Sequence, residues 1–315
     1  LLMAGGNLAF AAYLFKRHFP LAATIRRAAA VPRWRPMARF CAPVAFTDLV
    51  YGLVVQLDVL MLGWFVDMSL VGIYVLVRRL ASALLKAPQA FDAMFSTVVS
   101  DLTARGRDDE LGNRYVTVTR WILTVNLPVI VCLLVIGGPA LQLLDASRLA
   151  EVAHAELALR VLFILGLGMM VQSVFFVAEP LLAMSGRPGL NLVNNLVWLA
   201  ANFGLNLWLI DAYGIAGAAL GAALAMVLVN LLRLVEVHIF RGVLPFSPAQ
   251  LKPLVAAAAA ALPAWWLLDA TPGKVWPAVL PASAFLLTYF LGLLLLRPEP
   301  ADRAMLSAPW RRLRR

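Results

Sequence analysis

Long apolar runs separated by short polar breaks make up most of the chain. Runs of about 20 residues are long enough to cross a hydrocarbon core of about 30 Å as helices, and the short alternating segments of transmembrane strands are missing from the pattern. The chain is therefore predicted to be all-α and polytopic. The predicted spans are a partial one at about 1–15 and full ones at about 40–65, 71–99, 117–142, 157–183, 189–211, 214–239, 253–270 and 275–296.

The same pattern divides the chain into parts. Its first residues are apolar from the outset, with no initiating Met and no basic leader of a signal peptide, which indicates half of a helix and a piece of a longer protein. The expected parts are a helix remnant at 1–15, a basic cytoplasmic linker at 16–39, a six-helix block at 40–240, two additional transmembrane helices at 253–296 and a basic cytoplasmic tail at 297–315.

Composition supports a membrane protein. The 315 residues are 62% hydrophobic and 14% charged, with a mean hydropathy of +0.84, whereas soluble domains are about 45–50% apolar and about 25% charged. Cys41 and Cys132 lie in apolar runs, where a disulfide framework has no role, so we interpret them as small core residues.

The net charge of +10 comes from Lys and Arg placed beside the apolar spans. Such blocks are typical of membrane orientation and attraction to anionic lipid, so no nucleic-acid partner is expected. Arg120 and Arg233 belong to this set, which the positive-inside rule places in the cytoplasm together with the C-terminus. The basic connections lie at 16–39, 105–120, 187, 233–252 and 297–315.

The first two full spans carry charges inside their apolar runs, where charges are costly. At 1.5 Å per residue, Asp58 lies at the depth of Arg78 and Arg79, roughly 10–12 Å below the outer surface. Asp48 lies similarly at the depth of Lys86, which shares a helical face with Arg79. Two acids against three bases leave an excess cation that needs water or an anionic ligand. We expect a hydrated cationic cavity; structural salt bridges are the alternative.

Asparagines form a second polar feature. Asn191, Asn195, Asn202 and Asn206 are spaced so that they share one stripe of the span at 189–211. Interhelical hydrogen bonding would explain one or two of them, and a stripe of this length favours a polar lumen. We therefore expect these side chains to line the substrate cavity.

Small residues and prolines suggest mechanical roles. Gly214, Gly217 and Gly221 permit close helix packing. The spans also contain Pro88, Pro128 and Pro180, which interrupt the helical hydrogen-bond ladder and are common kinks in transporters.

Glu179 precedes Pro180 near the cytoplasmic end of its span. It is a candidate gate or titrating group, and an interfacial glutamate without such a role is the open alternative.

The residues needed for catalysis are not grouped. His18, His154 and His238 lie far apart, without metal-ligand spacing. The chain has no phosphate-binding loop and no nucleophile elbow. We therefore expect no enzyme activity, no metal and no cofactor.

Several phrases resemble a known family. They are "DVLMLGWFVDMSLVGIYVLVRRLA", "FSTVVSDLTARGRDDEL", "LLAMSGRPGLNLVNNLVWLAANFGLNLWLI" and "DAYGIAGAALGAALA". Their order, from about Phe40 to Phe240, is similar to the second half of a bacterial oligosaccharide flippase of the Wzx type. That family belongs to the MOP superfamily, with the MATE drug exporters and the MurJ lipid II flippases.

The resemblance implies a fold and a function. It makes 40–240 the second six-helix lobe of a transporter with a central cavity and alternating access. The implied substrate is an isoprenoid diphosphate-linked oligosaccharide, moved across the bacterial inner membrane for surface polysaccharide biosynthesis. Cationic side chains would hold diphosphate and asparagines would hold sugar hydroxyls. Asp48, Asp58 and Glu179 are candidates for ion coupling, and the expected partners are the lipid-linked oligosaccharide, membrane lipids and polysaccharide polymerase or assembly proteins.

Two other classes stay open. A MATE-like multidrug or cation antiporter would need a cavity rich in acids and aromatics, whereas Arg78, Arg79 and Lys86 favour an anionic ligand. A membrane-embedded polysaccharide assembly protein would need a cluster of acids or histidines at the surface. The acidic cluster "RGRDDEL" also fits a solvated loop.

Overall fold

The computed structural model describes residues 34–144, 152–270 and 275–296, and these are almost entirely helical. Residues 1–45 form a unit of their own, of which only the start of the first helix is described, and every contact discussed below lies within residues 46–315. The α-helices are α1 Trp34–Phe65, α2 Met68–Ala81, α3 Lys86–Ala104, α4 Asp108–Leu144, α5 Val152–Val174, α6 Ala178–Met184, α7 Pro188–Arg241, α8 Leu251–Ala270 and α9 Val275–Leu295.

The predicted full spans all coincide with these helices, which confirms the all-α membrane class. Five stretches of the described residues are long and apolar enough to cross a membrane, and Val279–Leu295 is a shorter apolar helix. The predicted remnant at 1–15 and tail at 297–315 lie outside the described residues. The five stretches are Val44–Phe65, Met68–Asp92, Asp108–Leu141, Ala153–Met184 and Pro188–Arg241.

The helix boundaries differ from prediction in informative places. Helix α1 is described from Trp34, which lies inside the predicted linker. The predicted span at 71–99 is divided by a 3-10 segment, Ser82–Leu85, just before Pro88. The span at 157–183 is likewise broken between α5 and α6, just before Pro180.

A single glycine folds α7 back on itself. Gly214 has φ 58° and ψ −134°, a conformation that side-chain-bearing residues rarely adopt, so the 54-residue helix reverses direction there. Pairs equidistant from Gly214 then meet: Asn195 accepts a hydrogen bond from Arg233. Residues 188–213 and 215–241 are therefore the two antiparallel arms of one hairpin, called the α7 hairpin below.

The two arms touch through small residues. An added Cβ would lie 1.8 Å from the Leu209 carbonyl oxygen at Gly217, and 2.3 Å from Asn206 Oδ1 at Gly221. Gly168 of α5 meets Ala223 in the same way, at 2.8 Å. These glycines therefore set the distance between the hairpin arms and α5, as the small-residue pattern predicted.

The apolar interior is built mainly by α2, α4, α5 and the α7 hairpin. Its buried residues include Leu62, Tyr74, Leu84, Leu162 and Ala218. Large apolar side chains such as those on the outer faces of α7 and α9 stay exposed, which suits helices whose surroundings are lipid.

Three of the predicted basic connections, 105–120, 187 and 233–252, meet at one end of the described helices. Arg241, at the end of α7, donates to Asp108 at 2.8 Å, to Ser185 at 3.0 Å and to Thr103 at 3.3 Å. Arg187 lies over the Phe240 ring at 4.0 Å. The ends of α3, α4, α6 and α7 therefore meet at this basic end, in agreement with the alternation of the predicted connections.

Two arginines assigned to these connections lie elsewhere, which corrects that assignment. Arg120 is 8% exposed and Arg233 is fully buried. Arg120 lies several turns inside α4, and Arg233 lies inside the second arm of the α7 hairpin, so both belong to helices rather than loops.

We predict that Gly217→Ala weakens the α7 hairpin, since its methyl group would overlap the Leu209 carbonyl. The expected loss in the free energy of unfolding is about 1–3 kcal/mol, typical of overpacking. Denaturant unfolding of the full-length protein in mild detergent measures it. Gly204→Ala is the matched control, because nothing lies within 4 Å of its added Cβ and helical Gly→Ala is expected to be neutral or slightly stabilising. Equal stability of both variants would contradict the close packing.

Candidate functional site: a cationic cavity and its polar network

A cavity of about 360 Å³ opens among α1, α2, α5 and the α7 hairpin. Both polar and apolar side chains line it, and they include one of the two acids and two of the three bases that the sequence analysis singled out in the first two full spans. The lining residues are Tyr51, Val54, Val55, Asp58, Val75, Arg78, Arg79, Ser82, Leu85, Met169, Gln172, Trp198, Asn202 and Met226.

Asp58 is the buried acid of this cavity and is 5% exposed. Its Oδ1 accepts hydrogen bonds from Asn202 Nδ2 at 2.8 Å and from Asn206 Nδ2 at 3.0 Å. Its Oδ2 accepts a bond from the Tyr74 hydroxyl at 3.0 Å. Three neutral donors from α2 and α7 therefore stabilise the carboxylate on α1.

The expected ion pair between Asp58 and the arginines is replaced by these bonds. Arg78 is half-buried and donates to the Val55 carbonyl and, at 3.5 Å, to Gln56. Arg79 is exposed and lines the cavity beside it. The hydrogen bonds from Tyr74 and the two asparagines occupy the carboxylate of Asp58. The guanidinium groups of Arg78 and Arg79 therefore line the cavity without donating to that acid.

The second expected pair, Asp48 with Lys86, is also not formed among the described residues. Asp48 is exposed on α1. Lys86 donates instead to Gln89 at 3.4 Å and lies outside the cavity lining. A 3-10 segment turns further per residue than an α-helix, so the four residues before Lys86 rotate it by about 80° from the face it would share with Arg79.

The asparagine stripe is buried along its whole length. Only Asn202 lines the cavity. Asn191 donates to the Glu179 carbonyl at 2.8 Å, and Asn195 donates to the Thr47 carbonyl at 3.3 Å. The stripe therefore joins helices along most of its length, as the interhelical alternative describes, and reaches the cavity at one point.

A buried ion pair lies further along the same stripe. Arg233 Nη2 is 3.1 Å from Glu179 Oε2 and 2.8 Å from Asn195 Oδ1. Glu179 is 25% exposed, whereas Arg233 is fully buried. The acid considered as a possible gate is thus the counter-ion of an arginine that sequence reasoning placed in a loop.

Other polar contacts also escaped the sequence reasoning. Asn230 donates to Gln172, a cavity residue, at 2.6 Å, and Asn194 donates to Glu236. The approximate mirror symmetry about Gly214 could have found the contact between Asn194 and Glu236, because residues nearly equidistant from a hairpin turn face each other. Tyr74, one helical turn before Arg78, could have been recognised as a donor that reaches an acid one turn deeper.

We predict that Asp58→Leu destabilises the protein strongly. Tyr74, Asn202 and Asn206 would keep donors without their acceptor, and unsatisfied buried groups cost about 1–3 kcal/mol each. We expect a loss of at least about 2 kcal/mol in the free energy of unfolding, with a smaller loss for Asp58→Asn, which retains one acceptor oxygen. The control is Asp211→Leu at an exposed position. An Asp58→Leu variant as stable as this control would contradict the network.

The ion pair generates a further prediction. Glu179→Ala leaves the Arg233 charge buried without its counter-ion and should cost about 3 kcal/mol. The double variant Glu179→Leu with Arg233→Met removes both charges and should recover much of that loss. Asp108→Ala is the comparison, because it breaks a pair whose acid is 53% exposed, for which we expect at most about 1 kcal/mol. The same denaturant unfolding measures all three, and a double variant less stable than Glu179→Ala would count against the pair.

Comparisons with known proteins agree with this architecture. A family described as polysaccharide biosynthesis protein matches residues 19–154. The probable flippase AglR of Haloferax volcanii is 28% identical over 256 residues, which are 78% of this chain and 51% of that protein. The chain therefore spans about half the length of this curated relative.

A solved flippase structure shares the fold. The lipid II flippase MurJ, in an inward closed conformation, aligns with a TM-score of 0.65 at 14% identity, covering 91% of this chain and 57% of that one. A multidrug resistance MATE family transporter of the MOP superfamily, in an outward-facing conformation, aligns with a TM-score of 0.48 at 19% identity, covering 81% of this chain and 61% of that one. These proteins are named as flippases and transporters. The matched family, the relative and the shared MurJ fold agree with the resemblance found in the sequence, and the chain is a multi-pass membrane protein similar to these flippases.

Proposed function

We propose that the protein carrying this chain is a flippase that moves an isoprenoid diphosphate-linked oligosaccharide across the plasma membrane for surface polysaccharide biosynthesis. The matched polysaccharide biosynthesis family and the flippase relative support this class. In this proposal residues 40–240 are one lobe, 253–296 form an additional helical hairpin, and the cavity faces alternate sides of the membrane in turn.

The cationic cavity wall is the observation that carries the proposal. Arg78 and Arg79 lie side by side on it, and the one acid among the lining residues, Asp58, is already bonded to three neutral donors. A guanidinium group suits a phosphate oxygen because its N–H donors match the geometry of an oxyanion and strengthen with its charge. A diphosphate headgroup would thus find two cations that no carboxylate among the described residues holds in place.

The rest of the lining suits a sugar. Asn202 and Gln172 present amides, which bond hydroxyl groups as donors or acceptors. Tyr51 and Trp198 pack edge to face with ring centroids 5.8 Å apart, so the wall also offers a rigid aromatic surface. A ligand with a charged headgroup and a polar, partly apolar body would contact all of these groups.

Coupling to an ion gradient is part of the same proposal. Among the three candidate acids, Asp58 is the one that lines the cavity, where binding of an ion or proton would compete with the bonds from Asn202 and Asn206. Glu179 is held by Arg233, and Asp48 is exposed. Asp58 is therefore our first choice for coupling, and lipid-linked oligosaccharide and membrane lipids are the proposed partners.

We predict that replacing Arg78 and Arg79 together by Gln abolishes export while leaving the fold intact, since Gln keeps hydrogen bonding and removes both charges. Cells producing the full-length variant should lose at least about 90% of surface glycan, the tenfold effect of one lost charge-assisted contact. They should also accumulate lipid-linked oligosaccharide inside. Quantifying both pools, after membrane expression has been matched, measures the effect.

The control replaces Arg105 and Arg107 by Gln. These arginines pair with Asp101 and Glu110 at the basic end, away from the cavity, so export should continue. Normal export by the Arg78 and Arg79 variant would contradict the proposed anionic substrate. Normal glycan export by that variant, together with efflux of cationic dyes by the unchanged full-length protein, would indicate the MATE-like antiporter instead.

A further inference from the structure

Two prolines remove helical hydrogen bonds near the cavity. In an α-helix the N–H of each residue donates to the carbonyl four positions earlier, and proline has no N–H to donate. Pro88 of α3 therefore leaves the Leu84 carbonyl without its helical donor, and Pro128 of α4 does the same for the Thr124 carbonyl. Inside a membrane such carbonyls need another donor, since water is not at hand.

Side chains from other helices supply both donors. Asn126 Nδ2, from α4, is 2.8 Å from the Leu84 carbonyl oxygen and also donates to Ser173 of α5. The Tyr289 hydroxyl, from α9, is 2.8 Å from the Thr124 carbonyl oxygen. Each proline break is therefore closed by a contact with a different helix rather than within its own.

The two breaks share one turn of α4. Thr124 accepts from Tyr289, Asn126 donates to Leu84, and Pro128 ends the same turn. Any change in the bend of α4 at Pro128 must move Asn126 and hence the Leu84 carbonyl. Helix bending at a proline has such a local cause, namely a missing ladder bond and the group that replaces it.

The far end of this chain of contacts is the cavity wall. Leu84 lies in the 3-10 segment Ser82–Leu85. Both Ser82 and Leu85 line the cavity, as does Arg79, three residues before Ser82. At the near end, Tyr289 is fully buried where α8 and α9 pack against α4, beside Leu127 and Val131. The α8–α9 pair is thus connected to the cavity wall through α4, by the hydrogen bond from Tyr289 to Thr124 and the one from Asn126 to Leu84.

We propose that Tyr289 is a positioning residue, through which the α8–α9 pair sets the bend of α4 and thereby the position of the 3-10 segment in the cavity wall. The role of that wall in transport rests on the proposed function, whereas its geometry does not. In this proposal the α8–α9 pair stabilises the shape of the cavity without lining it.

Thiol labelling at Ser82 tests the proposal. The full-length protein carries Ser82→Cys in a background without other cysteines, Cys41 and Cys132 included, and its reaction rate with a charged methanethiosulfonate is measured in membrane vesicles. Tyr289→Phe removes only the hydroxyl and should change the labelling rate by about two- to tenfold, the bias that one buried hydrogen bond supplies. Tyr115→Phe is the matched control. The Tyr115 hydroxyl lies on α4 and is buried like that of Tyr289, but it has no hydrogen-bond partner among the described residues.

A rescue separates positioning from general damage. Pro128→Ala restores an N–H for the Thr124 carbonyl, so adding Tyr289→Phe to Pro128→Ala should leave the labelling rate unchanged. Two results would overturn the proposal: a labelling rate in Tyr289→Phe equal to that of the Tyr115→Phe control, or an equally large effect of Tyr289→Phe with and without Pro128. Labelling does not depend on a substrate. Normal export by the variant with Arg78 and Arg79 replaced by Gln would therefore refute the flippase proposal and leave this one standing.

Discussion

The structure depends on one constraint: a polar group inside a membrane-spanning bundle is costly unless it finds a partner within the protein. Asp58 meets it with donors from two helices, Arg233 with Glu179 and Asn195, and the carbonyls freed by Pro88 and Pro128 with Asn126 and Tyr289. Because most of these partners come from a different helix, satisfying a polar group also sets a helix position. The polar residues therefore specify how the apolar helices are arranged, and apolar packing alone would leave that arrangement far less defined.

Apolar run length and breakers were sufficient to predict the helices, because spanning a bilayer constrains length and hydropathy directly. Depth counting also brought Asp58 and Arg78 to one level. It could not predict that Asn202, far along the chain, would take the carboxylate, since a one-dimensional depth says nothing about which helices are neighbours. Local geometry caused the other errors: the 3-10 segment rotated Lys86, and the turn at Gly214 buried Arg233.

The cavity and the ion pair are two polar sites along the α7 hairpin. Asn202 and Asn206 hold the acid of α1 at one level, and Asn195 holds Arg233 nearer the basic end. The first site leaves cations at a cavity wall, whereas at the second the charge of Arg233 is paired with that of Glu179. The same residue type therefore serves a ligand-facing wall and a structural joint, and only the presence of a cavity beside Asn202 distinguishes the two.

The sequence separation within the Asp58 network has a consequence for biogenesis. Tyr74 lies 16 residues after Asp58, whereas Asn202 lies 144 residues after it. At about 5–20 residues per second, a ribosome needs roughly 7–30 s to complete the gap between Asp58 and its amide partner. During that interval the helix bearing Asp58 has left the ribosome with Tyr74 as its one native donor. The hairpin of α1 and α2 must therefore shelter a half-satisfied acid, at the insertion machinery or in the first leaflet it enters, until α7 arrives.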